Sequence, residues 1–161
     1  MKVFVVIVTF NRIELLKRSI ESVRANQPFG IIVINNGSTD GTKEWLDSQP
    51  DLIVIHQKNV GGSGGFYTGI KHAYNMGADW IWCMDDDVFP RADCLKNLLD
   101  NATDKNIGIL APRRIMDGKI FCHDFQGYNL TRPFKSMYRQ RLVNEQVTSP
   151  TFIAGTAFEG P

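Results

Sequence analysis

Val3-Phe4-Val5-Val6-Ile7-Val8, running directly into Thr9-Phe10-Asn11-Arg12, decides the fold of this chain. Six apolar residues without polar alternation predict a strand buried on both faces, which belongs in a parallel sheet covered on two sides. Helical and strand-like segments alternate outward from it. Asn11 is placed to cap a following helix with Glu14 as its capping-box partner, and Ile13, Leu16, Ile20 and Val23 mark one helical face before Pro28. Ile31–Ile34 reads as a second strand and Leu52–Ile55 as a third, with a short helix carrying Trp45 and Leu46 between them. A glycine-rich stretch then leads into a helix whose face is read as Phe66, Ile70, Ala73 and Gly77. Asp79–Met84 gives a fourth strand, Leu95, Leu98 and Leu99 a further helix, and Ile107–Ala111 another strand. The expected class is α/β, a mostly parallel sheet flanked by helices on both faces.

Past Pro112 the rhythm changes. Asp117-Gly118 between Arg114-Ile115 and Ile120-Phe121 predicts a hairpin turn, residues 123–150 show no period, and Thr151–Ala154 is read as a last strand. The whole is read as one domain over residues 1–161, its ligand-binding half being 1–111 and residues 112–161 the start of a second, incomplete region.

With 161 residues, 43% hydrophobic and 22% charged, the chain has the composition of a globular domain with a real core. A formal net charge of +1 offers no basic field, so nucleic acid is not an expected partner. The opening apolar run is too short to cross a membrane. Cys83, Cys94 and Cys122 lack metal-ligand spacing and read as core thiols of a reducing, cytoplasmic compartment. Trp45, Trp80 and Trp82 are read as core, and His56, His72 and His123 form no nucleophilic triad.

In open parallel sheets ligands bind beyond the carboxyl ends of the strands. Four polar stretches fall there: Thr9 to Arg12, Asn35-Asn36-Gly37, Asn59 to Gly65, and Asp85-Asp86-Asp87. If the strand continued through the aspartates, Asp85 and Asp87 would share a face and Asp86 would point away. Two like charges so placed ask for a cation, and hard carboxylate oxygens with a diphosphate suit Mg²⁺ or Mn²⁺. Asp86 is then the least informative of the three. The glycine stretch matches neither the dinucleotide fingerprint, since Tyr67 stands where a third glycine belongs, nor the Walker pattern, since Ile70 replaces the lysine. It reads instead as backbone that can approach a ligand closely, with Gly61 and Gly62 the candidate contacts, opening a helix whose N-terminal N–H groups favour anions.

Together, Thr9-Phe10-Asn11-Arg12, Asn36-Gly37-Ser38-Thr39-Asp40-Gly41-Thr42, Asn59 to Phe66 and Met84 to Asp87 resemble the family 2 nucleotide-sugar glycosyltransferases, which have the GT-A fold. The glycine-rich stretch followed by Phe66, with the triple aspartate, is similar to the branch of galactofuranosyl- and rhamnosyltransferases. The resemblance implies that Thr9, Arg12, Asn36, Asn59 and Asp85 contact the nucleotide-sugar, and that Asp85 and Asp87 hold Mn²⁺ or Mg²⁺. It implies inverting transfer from a UDP- or dTDP-sugar to a glycan or lipid-linked acceptor in cell-surface polysaccharide synthesis, in the cytoplasm and at the inner membrane face. Many relatives carry an acid where Asn35 or Asn36 stands, which leaves the base open. The family's general base, an Asp or Glu well after the metal motif, is expected beyond Pro161, since Glu159 is the last acid here; the chain is therefore read as the donor half of a longer enzyme, able to bind donor but poor in transfer. Three other readings stay open at this point: a non-catalytic nucleotide-sugar-binding module, a nucleotidyltransferase, and an aspartyl-phosphate phosphatase with Asp85 as nucleophile.

Overall fold

A computed structural model describes residues 1–103, 107–112 and four short strand segments beyond them. Along the chain it places β1 (Val3–Thr9), α1 (Ile13–Arg24), β2 (Gly30–Asn35), α2 (Thr42–Asp47), β3 (Leu52–His56), α3 (Gly61–Asn75), β4 (Trp80–Asp85) and α4 (Cys94–Asp100). The four long strands form one all-parallel sheet in the order β3-β2-β1-β4. Two small antiparallel pairs follow, β5 (Ile115–Met116) with β6 (Lys119–Ile120), and β7 (Gln126–Tyr128) with β8 (Ser136–Tyr138). The first is the hairpin that Asp117-Gly118 announces. By backbone contacts Met1–Leu95 form one compact unit, and a second takes up the chain from Lys96.

The pleat of β1 sorts its side chains between two helical layers, as a strand buried on both faces requires. Val5 and Ile7 pack with Leu16, Ile20, Val23 and Leu46 of α1 and α2. Phe4 and Val6 pack with Ile32, Ile34, Phe66 and Ala73 on the α3 side. Burial of each such side chain is worth roughly 1.5–3 kcal/mol, and a slip of one residue would exchange the two sets, so both layers pin the register. Trp45 and Trp82 pack half-buried against the first cluster. Cys83 and Cys94 are free thiols, and burial pushes that of Cys83 up to about 11, far from the reactive thiolate range.

Three local expectations are corrected. Asn11 does not cap α1; it adopts a left-handed φ of 54°, and the first helical N–H, that of Ile13, donates instead to Asp40 Oδ2 at 3.1 Å. The same carboxylate accepts from the Thr42 N–H at 3.2 Å, so one side chain serves the starts of both α1 and α2. Burial is the largest single influence and works against its charge, but bonds from the Thr42 hydroxyl and the two N–H groups together hold Asp40 below the usual carboxylate value. Residues 107–112 are irregular rather than a strand. The buried face of α3 is Gly65, Phe66, Gly69 and Ala73, while Ile70 is exposed. The glycine-rich stretch opens a helix as expected, forming the first turns of α3. The expected last strand at Thr151–Ala154 lies outside the described residues, as do Cys122, His123 and Glu159.

Those glycines have separate tasks. A Cβ on Gly69 would stand 2.4 Å from Val6 Cγ1, and one on Gly65 2.5 Å from Val8 Cγ1, so their bareness lets α3 lie directly on β1. Positions 61 and 62 face open space. Gly69→Ala is therefore expected to cost about 1–3 kcal/mol through overpacking. Gly62→Ala should be neutral or stabilise by under about 1 kcal/mol. Urea midpoints at constant m-value check both; equal effects at the two positions would refute the division of labour.

Candidate functional site

Parallel register brings the strand ends into one row. Thr9 pairs with Asn35, Asn35 with His56, and Val8 with Asp85, which sets Asp86 beside Thr9. The strand stops at Asp85, and the chain turns at once, the Val88 N–H reaching back toward the Asp85 carbonyl at 3.4 Å. Alternation across all three aspartates therefore does not apply, and Asp86 proves the most constrained of them. It is 4% exposed and accepts a bond from the Thr9 hydroxyl at 2.7 Å. Burial raises its carboxyl above the ordinary value, while Thr9 and Arg12 act to lower it. The Arg12 guanidinium lies 3.5 Å from Asp86 and 3.0 Å from Asp87, both through one nitrogen. Asp85 is half-buried at the strand end and Asp87 exposed.

Beside this carboxylate corner the β2 turn is laced to β1. Ser38 Oγ accepts the Asn11 N–H at 3.0 Å, and Asn11 Oδ1 accepts the Thr39 N–H at 2.7 Å. Asn35, 2% exposed, accepts the Ser38 N–H at 2.9 Å and meets His56 Nδ1 at 3.1 Å.

Asn36 is held from every side. Its Oδ1 accepts from Gln57 Nε2 at 2.9 Å and the Val60 N–H at 3.3 Å, and its Nδ2 donates to Asn59 Oδ1 and the Gly61 carbonyl, each at 3.1 Å. With 3% exposure and these four bonds, Asn36 suspends the start of α3 as it stands, rather than presenting an open edge. Asn59 Oδ1 also accepts the Gly61 N–H at 2.9 Å, and Gln57 Oε1 accepts the Thr68 hydroxyl at 2.9 Å, tying the clamp to the second turn of α3. Gln57, Thr68, His56 and Asp40 were not singled out by motif reading, because their partners are distant in sequence; only Asp40, just ahead of a short helix, carried a local capping signal.

Among the described residues no three His, Cys, Asp or Glu side chains converge as a ready metal cage. The carboxylates of Asp85 and Asp87 are hard oxygen donors, the kind of which Mg²⁺ or Mn²⁺ takes one or two while completing its shell from phosphate and water.

The pattern of the family Glycosyl transferase family 2 matches residues 4–157. The chain belongs to this family. It is 36% identical over 161 residues to galactofuranosyltransferase GlfT1 of Mycolicibacterium smegmatis, covering 96% of this chain and 51% of the relative. It is 29% identical to the undecaprenyl-phosphate mannosyltransferase of Micrococcus luteus, covering 74% and 51%. The chain thus spans about half the length of these curated relatives. In three dimensions it resembles the mannosyltransferase PcManGT of Pyrobaculum calidifontis, solved with GDP-Man and Mn²⁺, at a TM-score of 0.54, 23% identity and coverage of 66% and 34%. A 4-diphosphocytidyl-2C-methyl-D-erythritol synthase gives 0.53 at 13% identity, covering 88% and 70%. At these identities the likeness shows the fold, which is of the GT-A type.

Asp86→Ala would leave the buried Thr9 hydroxyl without its acceptor, a loss of about 1–3 kcal/mol in urea unfolding. The pH dependence has a definite sign. A folded carboxyl that keeps its proton to higher pH than the unfolded one contributes a decline in stability as pH rises from about 4 through the raised value. Asp86→Asn should remove that slope, and an unchanged stability–pH profile would show that Asp86 is not the buried acid described.

Proposed function

We infer that the strand-end cleft of Met1–Leu95 holds the nucleoside diphosphate of a sugar donor and that the chain serves sugar transfer in glycan synthesis. The observation that carries this is the corner where Arg12 faces Asp86 and Asp87 beside Asp85, on a chain of this family. Thr9, Arg12, Asn36, Asn59, Gly61 and Gly62 are proposed as the nucleotide-sugar side of the site, Thr9, Asn36 and Asn59 by building its walls and Arg12 with the open Gly61-Gly62 backbone by facing the ligand.

Asp85 and Asp87 would hold Mn²⁺ or Mg²⁺, which when bound neutralises charge growing on the departing diphosphate. The chain's own residues do the rest of the donor-side work. Asp86, fixed by Thr9, sets the turn on which Asp87 stands. Arg12 occupies Asp87 through an exposed pair of small intrinsic strength, so it can exchange that carboxylate for a phosphate oxygen at little cost. The proposed reaction is inverting: the acceptor hydroxyl oxygen bonds to the anomeric carbon as the bond to the diphosphate breaks, and its proton passes to a carboxylate base.

A galactofuranosyl donor is the first to test, because a relative matched over 96% of this chain is named for that sugar, and UDP or dTDP is the proposed carrier. A lipid-linked acceptor is proposed from the name of the Micrococcus relative, with work at the cytoplasmic membrane face. Among the described residues no helix is long and apolar enough to cross a membrane.

Calorimetric titration of UDP- and dTDP-sugars with and without Mn²⁺ tests the reading. Binding should require Mn²⁺, and Asp87→Ala should weaken it about tenfold or more. Donor affinity that is indifferent to both Mn²⁺ and Asp87 would overturn the metal site.

A further inference from the structure

His56, the last residue of β3, grips Asn35, the last residue of β2, Gln57 after it grips Asn36, and the His56 grip depends on one proton. The Ser38 backbone N–H can only donate, so the oxygen it meets at 2.9 Å fixes the Asn35 amide with Oδ1 toward Ser38 and Nδ2 toward His56 Nδ1, 3.1 Å away. An amide NH₂ likewise only donates, so Nδ1 is bare. The imidazole hydrogen therefore sits on Nε2 and is donated to Asp47 Oδ1 at 2.8 Å. A main-chain group thus dictates the tautomer of a side chain on another strand. The turn held by Asn35 continues through Ser38 and Thr39 to Asn11, whose left-handed φ of 54° directly precedes Arg12.

We propose that His56 is a positioning residue and proton switch for the donor site: its neutral Nε2–H form locks the Asn35–Ser38 turn, and with it Asn11 and Arg12, while a proton on Nδ1 releases them and weakens donor binding. The coupling to donor rests on the reading of the cleft given above. Protonated Nδ1 sets N–H against N–H at Asn35. Rotating the amide only moves the conflict, because Nδ2 then meets the Ser38 N–H. The conflict is buried, since Asn35 is 2% exposed, and a buried donor without an acceptor is costly. The described charged groups around His56 do not reverse this. α2 presents Asp47, already shared with Lys43 at 2.7 Å, and β2 presents only the neutral Asn35. Asp47 meets only Nε2 and offers no acceptor at Nδ1, so it leaves the conflict at Asn35 in place.

Glutamine at position 56 can accept from Asn35 and donate to Asp47 without titrating, whereas phenylalanine can do neither. Two readouts on the full chain separate the claims: the exchange protection factor of the Ser38 amide by NMR without ligand, and calorimetric affinity for a UDP-sugar with Mn²⁺, whose diphosphate keeps its charge over this range. From about pH 8 to about pH 5.5, Ser38 protection and donor affinity in the native chain should both fall about tenfold. His56→Gln should restore high protection and flatten both profiles, and His56→Phe should be low throughout. Equal Ser38 protection in the native chain and His56→Phe, or a profile that His56→Gln leaves unaltered, would overturn the switch. Donor affinity that stays constant while Ser38 protection falls would overturn its coupling to the site. Donor binding by none of the forms, with Ser38 behaving as expected, would overturn the donor reading and leave the switch standing.

Discussion

The rest of the site depends on one buried hydrogen bond, from the Thr9 hydroxyl to the Asp86 carboxylate. It joins the end of β1 to the turn after β4, neighbours in space but 77 residues apart in the chain. A carboxylate only 4% exposed is tolerated there because it has a donor on one oxygen and the Arg12 guanidinium near the other. The bond stops the strand from continuing in the extended form, and the chain has to turn between Asp85 and Asp87. What looks like a run of three equal charges is thus a structural acid placed between two acids at the cleft.

The second constraint is contact distance. β1 carries no residue small enough to let an ordinary helix settle on Val6 and Val8, so the helix supplies the space through Gly65 and Gly69. Close seating brings the first turn of α3 within reach of Asn36, whose four bonds fix where Val60 and Gly61 lie. Glycine lowers helix propensity, and the helix forms because this seating buries Phe66 and Ala73, an instance of tertiary packing overriding local preference.

How much was legible follows from the same physics. The four parallel strands were plain because burial on both faces leaves uninterrupted apolar runs, and their carboxyl ends then located Thr9, Asn35, Asn36 and the aspartates together. Ile107–Ala111 shows the limit of that signal, since a short apolar run specifies burial without specifying a strand. The cap of α1 was misassigned to Asn11 because the acceptor for its first N–H is Asp40, 27 residues beyond Ile13. Alternation through the three aspartates failed because it was carried past the end of the strand at Asp85. Each of these errors concerns a partner that sequence distance hides.

Two adjacent asparagines at the end of β2 close the argument. A carboxylate at either position could accept, but it could not donate. Asn36 donates to the Gly61 carbonyl while accepting from the Val60 N–H, and Asn35 donates to His56 while accepting from Ser38. An acid in place of Asn36 would set oxygen against oxygen at Gly61, and in place of Asn35 would call for a proton on His56 Nδ1. The amides therefore belong with the bare nitrogen of His56 and with the backbone path of Asn59 to Gly61 as one compatible set. Where a relative carries an acid after its second strand, the same logic requires a different partner at the end of the third.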